Sequence, residues 1–205
     1  MDKREELEKI AKEILKCRRC SLWETANKTV VGEGNPEAEI MFIGEAPGFW
    51  EDREGRPFVG QAGKLLDKLF SKIGLERKEV FITNVLKHRP PGNRDPLPAE
   101  ISACKEWLDR QIEIIKPRII VTLGRFALAK FLPSGKITRI HGQMKVVSFQ
   151  GRRIIVFPLF HPAAGLRNDQ ILKNLEEDFQ KIPGLLKVRL EERKEDKGEQ
   201  LFLPV

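Results

Sequence analysis

Four short apolar segments alternate with amphipathic segments along most of the chain. The apolar segments are residues 39–43, 80–85, 119–123 and 152–160. Parallel strands need a long crossover connection, usually a helix, so this alternation favours a parallel sheet with helices on both faces. We therefore expect an α/β fold of three layers, α/β/α, around a central, mostly parallel four-stranded sheet.

Helical spacing of apolar residues predicts the segments that cover this sheet. Gly74 and Pro117 follow two of these segments, where a helix commonly ends. An antiparallel hairpin around Gly151 is expected to lead into the fourth strand. The predicted helices are residues 4–17, 61–73, 99–115, 124–132 and 171–182.

The length and composition suit one domain. Apolar residues make up 40% of the 205 residues, enough for one sizeable core. We expect a single domain over residues 1–186 and a flexible charged tail over residues 187–205. The last six residues, 200–205, faintly resemble peptides that dock on sliding clamps, but a tail that packs or floats is the simpler interpretation.

The net charge of +7 favours a polyanionic partner such as nucleic acid, although good solubility alone would explain it too. No apolar run is long enough to cross a membrane, and the charged N-terminus lacks the apolar region of a signal peptide. We expect a cytoplasmic protein. Its high content of Lys, Arg and Glu fits a heat-adapted source.

Three cysteines cannot all pair with one another, and a cytoplasmic setting disfavours structural disulfides. Cys17 and Cys20 form a CxxC at a predicted helix end, a spacing compatible with zinc, redox chemistry or chance. Metal or cluster ligation and simple burial therefore remain open at this point.

Polar residues follow the four predicted strands. Ligands of open parallel α/β sheets bind beyond the carboxyl ends of the strands. Taken alone, each of the polar residues at the predicted strand ends could be an ordinary loop charge or turn cap. Their joint placement indicates one site that combines a carboxylate, a carboxamide, a guanidinium and an imidazole: Glu45, Asn84, Arg125 and His161.

Five motifs in and around these strand ends resemble the family 4 uracil-DNA glycosylases, which are thermostable bacterial and archaeal members of the uracil-DNA glycosylase superfamily. The resemblance spans about residues 7 to 182 and keeps the motifs in order. The motifs are Gly44-Glu45-Ala46-Pro47-Gly48, Gly55-Arg56-Pro57-Phe58-Val59-Gly60, Ile82-Thr83-Asn84-Val85, Arg89-Pro90-Pro91-Gly92-Asn93-Arg94-Asp95-Pro96 and His161-Pro162-Ala163-Ala164.

The resemblance implies a pocket for a uracil base that has been flipped out of DNA. Phe58 would stack on the base, and Asn84 would accept a hydrogen bond from N3–H and donate one to O4. The loop with Gly44, Ala46 and Gly48 would line the pocket. His161 would donate to uracil O2 as negative charge grows there.

The resemblance also implies roles in water activation and DNA binding. Glu45 would position or activate the attacking water; the best-known branch of the superfamily instead has an Asp at the position of Ala46. Asn93 would hold the water or a phosphate. Leu166 would fill the gap left by the flipped base and Arg167 would bind phosphate. Four more residues would either contact the DNA backbone or simply be exposed charges: Arg125, Lys136, Arg139 and His141.

Members of this family hold a [4Fe–4S] cluster with four cysteines. Three of these positions match Cys17, Cys20 and Cys104, and the fourth falls on His88, where the family usually has cysteine. Histidine can ligate iron in clusters. A Cys3His set is also a good zinc site. The resemblance therefore implies an iron–sulfur cluster, with zinc, a labile three-ligand cluster or no metal as the alternatives.

The favoured hypothesis is a monomeric, monofunctional glycosylase that acts on uracil-containing DNA and leaves an abasic site. A protein that binds or traps uracil-DNA with little turnover is the main alternative, since one superfamily branch links to the sugar through a histidine. A zinc-dependent nucleotide hydrolase is a third, but the expected ligands lie apart from Glu45 and His161.

Overall fold

The structure is a computed structural model that describes residues 2–188 and 190. Two short 3-10 turns, Arg77–Glu79 and Pro91–Asn93, flank the third strand. The helices and strands, in chain order, are α1 (Lys3–Leu15), α2 (Leu22–Thr25), β1 (Glu33–Gly34), β2 (Ile40–Gly44), α3 (Phe49–Glu54), α4 (Gln61–Lys72), β3 (Phe81–Asn84), α5 (Pro98–Ile115), β4 (Ile119–Leu123), α6 (Arg125–Phe131), α7 (Ile137–Ile140), β5 (Lys145–Phe149), β6 (Arg152–Leu159), α8 (Pro162–Gly165), α9 (Asp169–Phe179) and α10 (Ile182–Leu185).

The strands form one six-stranded sheet in the order β1-β3-β2-β4-β6-β5. The inner strands β3, β2, β4 and β6 are parallel, whereas β1 and β5 pair antiparallel at the two edges. The predicted mostly parallel α/β fold is confirmed, and the expected four strands are its parallel centre. The hairpin of β5 and β6 is also as predicted. Strand β1 was not predicted, because a strand of two residues is too short to show an apolar alternation.

Helices cover both faces of the sheet, as expected for three layers. Successive side chains of a strand point to opposite faces, so Met41 and Ile43 pack on one side of β2 and Phe42 on the other. The first core lies under α1, α5 and α6 and includes Ile112. The second lies under α4, α9 and α10, where the rings of Phe42 and Phe179 stack 6.1 Å apart.

The parallel register determines where the strands deliver their polar residues. Gly44 at the end of β2 lies opposite Asn84 at the end of β3, and Leu123 of β4 lies opposite Leu159 of β6. The next turns therefore leave the sheet at one edge, and His161 follows β6 by two residues. This common edge is the place where a ligand site is expected.

The described chain continues past the last helix onto the second core. Val188 and Leu190 pack against that core. The guanidinium of Arg118 donates to the carbonyls of Leu186, at 2.9 Å, and Val188, at 2.8 Å. Residues 191–205, including the clamp-like segment 200–205, lie outside the described residues. Among the described helices, none is long and apolar enough to cross a membrane.

Candidate active site

A cavity of about 340 Å³ opens where the parallel strands end. Its walls bring together Glu45, Phe58, Asn84 and His161, which the sequence places on four separate segments. A cavity of this volume is typical of small-molecule sites. Other expected site residues that line it are Ala46, Gly48, Asn93 and Arg167.

The side chain of Asn84 carries the most informative atom of the cavity. Asn84 is buried at the end of β3, and within the described part of the chain its Oδ1 has no hydrogen-bond partner. A buried acceptor without a partner costs about 1–3 kcal/mol. Such atoms are rare in folded proteins, so this oxygen is suited to accept from an N–H group of a ligand.

Gly44 leaves the space that this amide needs. A Cβ atom built on Gly44 would lie 2.3 Å from Asn84 Oδ1 and 2.6 Å from the Phe58 ring. Real Cβ contacts are never this short, so any side chain at residue 44 would displace Asn84 or Phe58. Gly44 therefore keeps the bottom of the cavity open.

Phe58 forms a buried apolar wall on a backbone with φ of 52°. This left-handed conformation is uncommon for a bulky residue and needs support from its surroundings. Arg77 supplies part of it, donating to the carbonyls of Phe58 and, at 3.1 Å, of Pro57. Gly63 leaves room for this backbone, since a Cβ there would lie 1.8 Å from the Phe58 carbonyl oxygen.

His161 lies beside Phe58, with ring centroids 5.6 Å apart and planes 25° from parallel. Its Nδ1 accepts from the backbone N–H of Ala163 at 3.1 Å. Burial lowers the pKa of His161 to about 4, so the imidazole is neutral near pH 7. Because Nδ1 is an acceptor, the single ring proton is on Nε2, which is then a hydrogen-bond donor.

The half-buried carboxyl of Glu45 follows β2. Burial, with a further contribution from the charge of Asp95, raises its pKa to about 7, and Arg125 opposes this rise. Arg125 is ion-paired with Asp95 at the surface. Glu45 therefore changes its charge in the physiological range, as a group that handles protons in a reaction requires.

Glu51 is a site residue that the sequence analysis missed. Its Oε1 accepts from the N–H groups of Val59 and Gly60, both at 2.8 Å, and its Oε2 accepts from Gly48 N–H at 3.1 Å. One carboxylate thus joins the two glycine-containing loops that carry Gly48 and Phe58. The spacing of Gly48 and Glu51 is that of a capping box, which was the available signal for both Glu51 and the unpredicted helix α3.

Lys87 was also missed, because lysine is almost always exposed. It is 0% exposed, and its Nζ donates to Thr83 Oγ1 at 2.7 Å, Asn84 carbonyl oxygen at 2.9 Å and Gln111 Oε1 at 2.7 Å. Burial lowers its pKa to about 7. The lysine holds the end of β3 from below and so positions Asn84.

Comparisons with known proteins identify relatives of this chain. A family model described as the uracil DNA glycosylase superfamily matches residues 31–182. A type-4 uracil-DNA glycosylase of Sulfurisphaera tokodaii is 55% identical over 86% of this chain and 83% of that protein. Type-4 enzymes of Saccharolobus solfataricus and Archaeoglobus fulgidus are 52% and 48% identical, over 86% and 87% of this chain and 84% and 92% of theirs.

The chain belongs to the type-4 uracil-DNA glycosylase family. The family motifs also include residues outside the cavity wall. In this type-4 chain Leu166 is 50% exposed and does not line the cavity, whereas its neighbour Arg167 does. Asn93 Oδ1 accepts from Arg89 Nε at 2.7 Å.

Of the four further basic candidates, two make side-chain contacts that bear on their role. Arg125 pairs with Asp95. His141 Nδ1 lies 2.7 Å from Asp178 Oδ2, and the His141 ring packs on Phe160 at 4.5 Å. Lys136 immediately precedes the short helix α7, and Arg139 lies within it.

Two of the expected cluster ligands of this type-4 chain contact each other, and the other two line one cavity. Cys20 and Cys104 hydrogen-bond to each other, which lowers the pKa of Cys20 to about 6. This hydrogen bond and burial raise the pKa of Cys104. Cys17 and His88 line a second cavity of about 450 Å³.

The donor set fits a metal or cluster in its chemistry. His88 Nδ1 is buried and, among the described residues, lacks a partner, while its Nε2 lies 3.0 Å from Thr29 Oγ1. Cys17 Sγ accepts from Trp107 Nε1 at 3.1 Å. Since Trp107 and Cys104 both lie on α5, both cysteines of the CxxC contact this helix. The described side chains, however, form no group of three or more His, Cys, Asp or Glu close enough to hold one metal ion.

Proposed function

We propose that this protein hydrolyses the N-glycosidic bond of uracil in DNA and leaves an abasic site. The proposal depends on the buried Oδ1 of Asn84, which has no hydrogen-bond partner among the described residues. Uracil N3–H would donate to this oxygen, and the Asn84 amide N–H would donate to uracil O4. Cytosine presents an acceptor at N3 and a donor at N4, so it would leave the same amide mismatched.

The base must leave the helix before it can reach Asn84. The cavity is lined by Phe58, whose ring offers an apolar face to the base, and its rim includes Asn93 and Arg167, which would contact the sugar–phosphate backbone. The exposed Leu166 is suited to fill the gap left in a duplex. Single strands need no such filling and are expected to be substrates as well.

Bond cleavage breaks C1′–N1, with the electron pair leaving on uracil. The Nε2–H of neutral His161 would donate to uracil O2 and stabilise the developing anion. The Gly48 N–H is already bound to Glu51 and Pro47 has no N–H, so Glu45 and Ala46 supply the remaining backbone donors of this loop. Water then attacks C1′ and loses its proton to the Glu45 carboxylate.

The pH profile should report the ionisation of Glu45. Only the carboxylate can accept a proton from water, and its pKa is raised to about 7. Single-turnover uracil release should therefore rise about tenfold per unit below pH 7 and level off above it. Glu45→Gln should lower the plateau and remove this rise. A wild-type rate that stays flat between pH 5.5 and 8 would contradict the proposed role of Glu45.

The proposed activity is tested with an oligonucleotide that contains one uracil. Alkali cleaves abasic sites, so repeated turnover gives a cleaved strand in excess over enzyme. Asn84→Ala should lose uracil release while its thermal unfolding stays near that of the wild type. A stoichiometric adduct that survives denaturant would instead indicate a trapping protein, and the absence of any released uracil would contradict the proposal.

We also propose that Cys17, Cys20, Cys104 and His88 hold a [4Fe–4S] cluster. It would tie the end of α1 to the loop after β3 and to α5, a structural role. The purified protein should be brown and contain about four irons and four sulfides per chain. His88→Ala should lower the iron content without changing the chain's expression. One zinc per chain and no iron would show that the alternative metal is correct.

A further inference from the structure

Two large aromatic side chains stand exposed on α3, next to the cavity. Phe49 is 43% exposed and Trp50 is 51% exposed. An adjacent exposed pair of this kind is a feature of binding surfaces, whereas single exposed apolar residues need no explanation. The family motifs and the proposed reaction assign no role to either ring.

Two arginines flank the Phe49 ring. The guanidinium carbons of Arg53 and Arg89 lie 5.0 Å and 5.2 Å from the Phe49 ring centroid. Of the three acidic residues of α3, Asp52 is buried and accepts from the backbone N–H of Asn27 at 2.8 Å, and Glu51 accepts from the N–H groups of Val59 and Gly60. Only Glu54 is exposed. Aromatic rings flanked by arginines are complementary to the bases and phosphates of nucleic acid.

The pair is continuous with the base cavity on both sides. Trp50 lies against Gly60, since a Cβ on Gly60 would be 3.3 Å from Trp50 Cδ1. Arg89, on the other side of Phe49, donates to Asn93, which lines the cavity. A DNA strand whose uracil occupies the cavity would therefore pass over these rings.

The angle between the rings decides which of them can stack on DNA. Their centroids are 5.2 Å apart and their planes are 86° from parallel. Neighbouring stacked bases are parallel, so only one of two perpendicular rings can stack on them. Trp50 is the larger and more exposed ring, whereas Phe49 already contacts both arginines.

We propose that Trp50 is a stacking platform for an unpaired base next to the flipped uracil, and that Phe49 braces it and holds Arg53 and Arg89 toward the phosphates. This inference rests on the proposed function for the identity of the strand. The platform would serve single-stranded DNA most, because the bases of a duplex are already stacked and paired.

The test measures binding of the full chain to a uracil-free thymidine oligonucleotide, which separates the platform from catalysis. Trp50→Ala should weaken single-strand binding by about fivefold or more, the lower end of what base–aromatic stacking contributes. Binding to a matched duplex should change less than twofold. Trp50→Phe should keep most of the single-strand affinity, and Leu15→Ala, which removes an exposed apolar side chain from α1, should bind like the wild type.

Tryptophan fluorescence gives a direct readout. The chain has three tryptophans, of which Trp107 is buried. Oligothymidine should quench the wild type, and this quench should be lost in Trp50→Phe although that variant still binds. Unchanged single-strand affinity in Trp50→Ala, or a quench that persists in Trp50→Phe, would overturn the platform. Binding and quench without any uracil release would overturn the proposed function and leave the platform intact.

Discussion

Replacing His161 with alanine is expected to lower single-turnover uracil release by about 10²–10³-fold, the effect of removing one well-placed donor to a developing oxyanion. The Ala163 N–H bond to Nδ1 directs the proton to Nε2, and the low pKa of about 4 keeps the ring neutral. The donor is therefore already in place before the base arrives. Release of abasic sites from a uracil oligonucleotide, scored after alkali, measures the loss.

His161→Asn keeps a side-chain N–H donor on a shorter side chain and should fall between the wild type and His161→Ala. Affinity for uracil-containing DNA should change much less than the rate, because the charge on O2 develops only as the bond breaks. A His161→Ala enzyme that retains a rate within threefold of the wild type would contradict leaving-group stabilisation by this residue.

Replacing Gly44 with alanine is expected to lower uracil release by about 10²-fold or more. The reason is that a displacement of about 1 Å in the groups that position a substrate can have an effect of this size. The new methyl group would occupy the position 2.3 Å from Asn84 Oδ1 and 2.6 Å from the Phe58 ring. Neither neighbour can move freely. Lys87 holds the end of β3, and Arg77 holds the Phe58 backbone, which lies close to Gly63.

Gly184 offers a matched control for this substitution. It lies in the short helix α10, and a Cβ there would meet no atom within 4 Å. Gly184→Ala should leave the rate of uracil release unchanged. Its melting temperature should stay the same or rise slightly, because alanine favours the helix. If Gly44→Ala releases uracil as fast as Gly184→Ala does, the cavity floor is not where the base binds.

Local patterns in the chain were sufficient for the fold and for the edge of the sheet at which the site lies. The alternation of apolar strands and amphipathic helices predicts the parallel centre, which the structure confirms. The rule that ligands bind beyond the strand ends placed Glu45, Asn84, Arg125 and His161 together. Glu45, Asn84 and His161 line the same cavity, whereas Arg125 is not among its lining residues. These inferences succeed because hydrophobic period and strand polarity are properties of neighbouring residues.

The residues that support the site could not be found in this way. Glu51 acts on N–H groups up to nine residues away, and Lys87 is buried against a glutamine 24 residues later. Sequence patterns describe such residues as surface charges, since nothing local marks a charge that tertiary packing will enclose. The exposed ring of Trp50 is the reverse case, an apolar residue in a segment that composition alone describes as a polar loop.

The sequence by itself determined the α/β/α layers and the edge of the sheet at which the site lies. Apolar periodicity and strand direction are properties of short stretches of chain, so they can be recognised without the tertiary structure. Only the tertiary structure decided the properties of the groups at that edge. Burial keeps the imidazole of His161 neutral and raises the pKa of Glu45 to about 7, and the buried Oδ1 of Asn84 has no partner among the described residues. Desolvation depends on what surrounds a group in three dimensions, so no local pattern contains it.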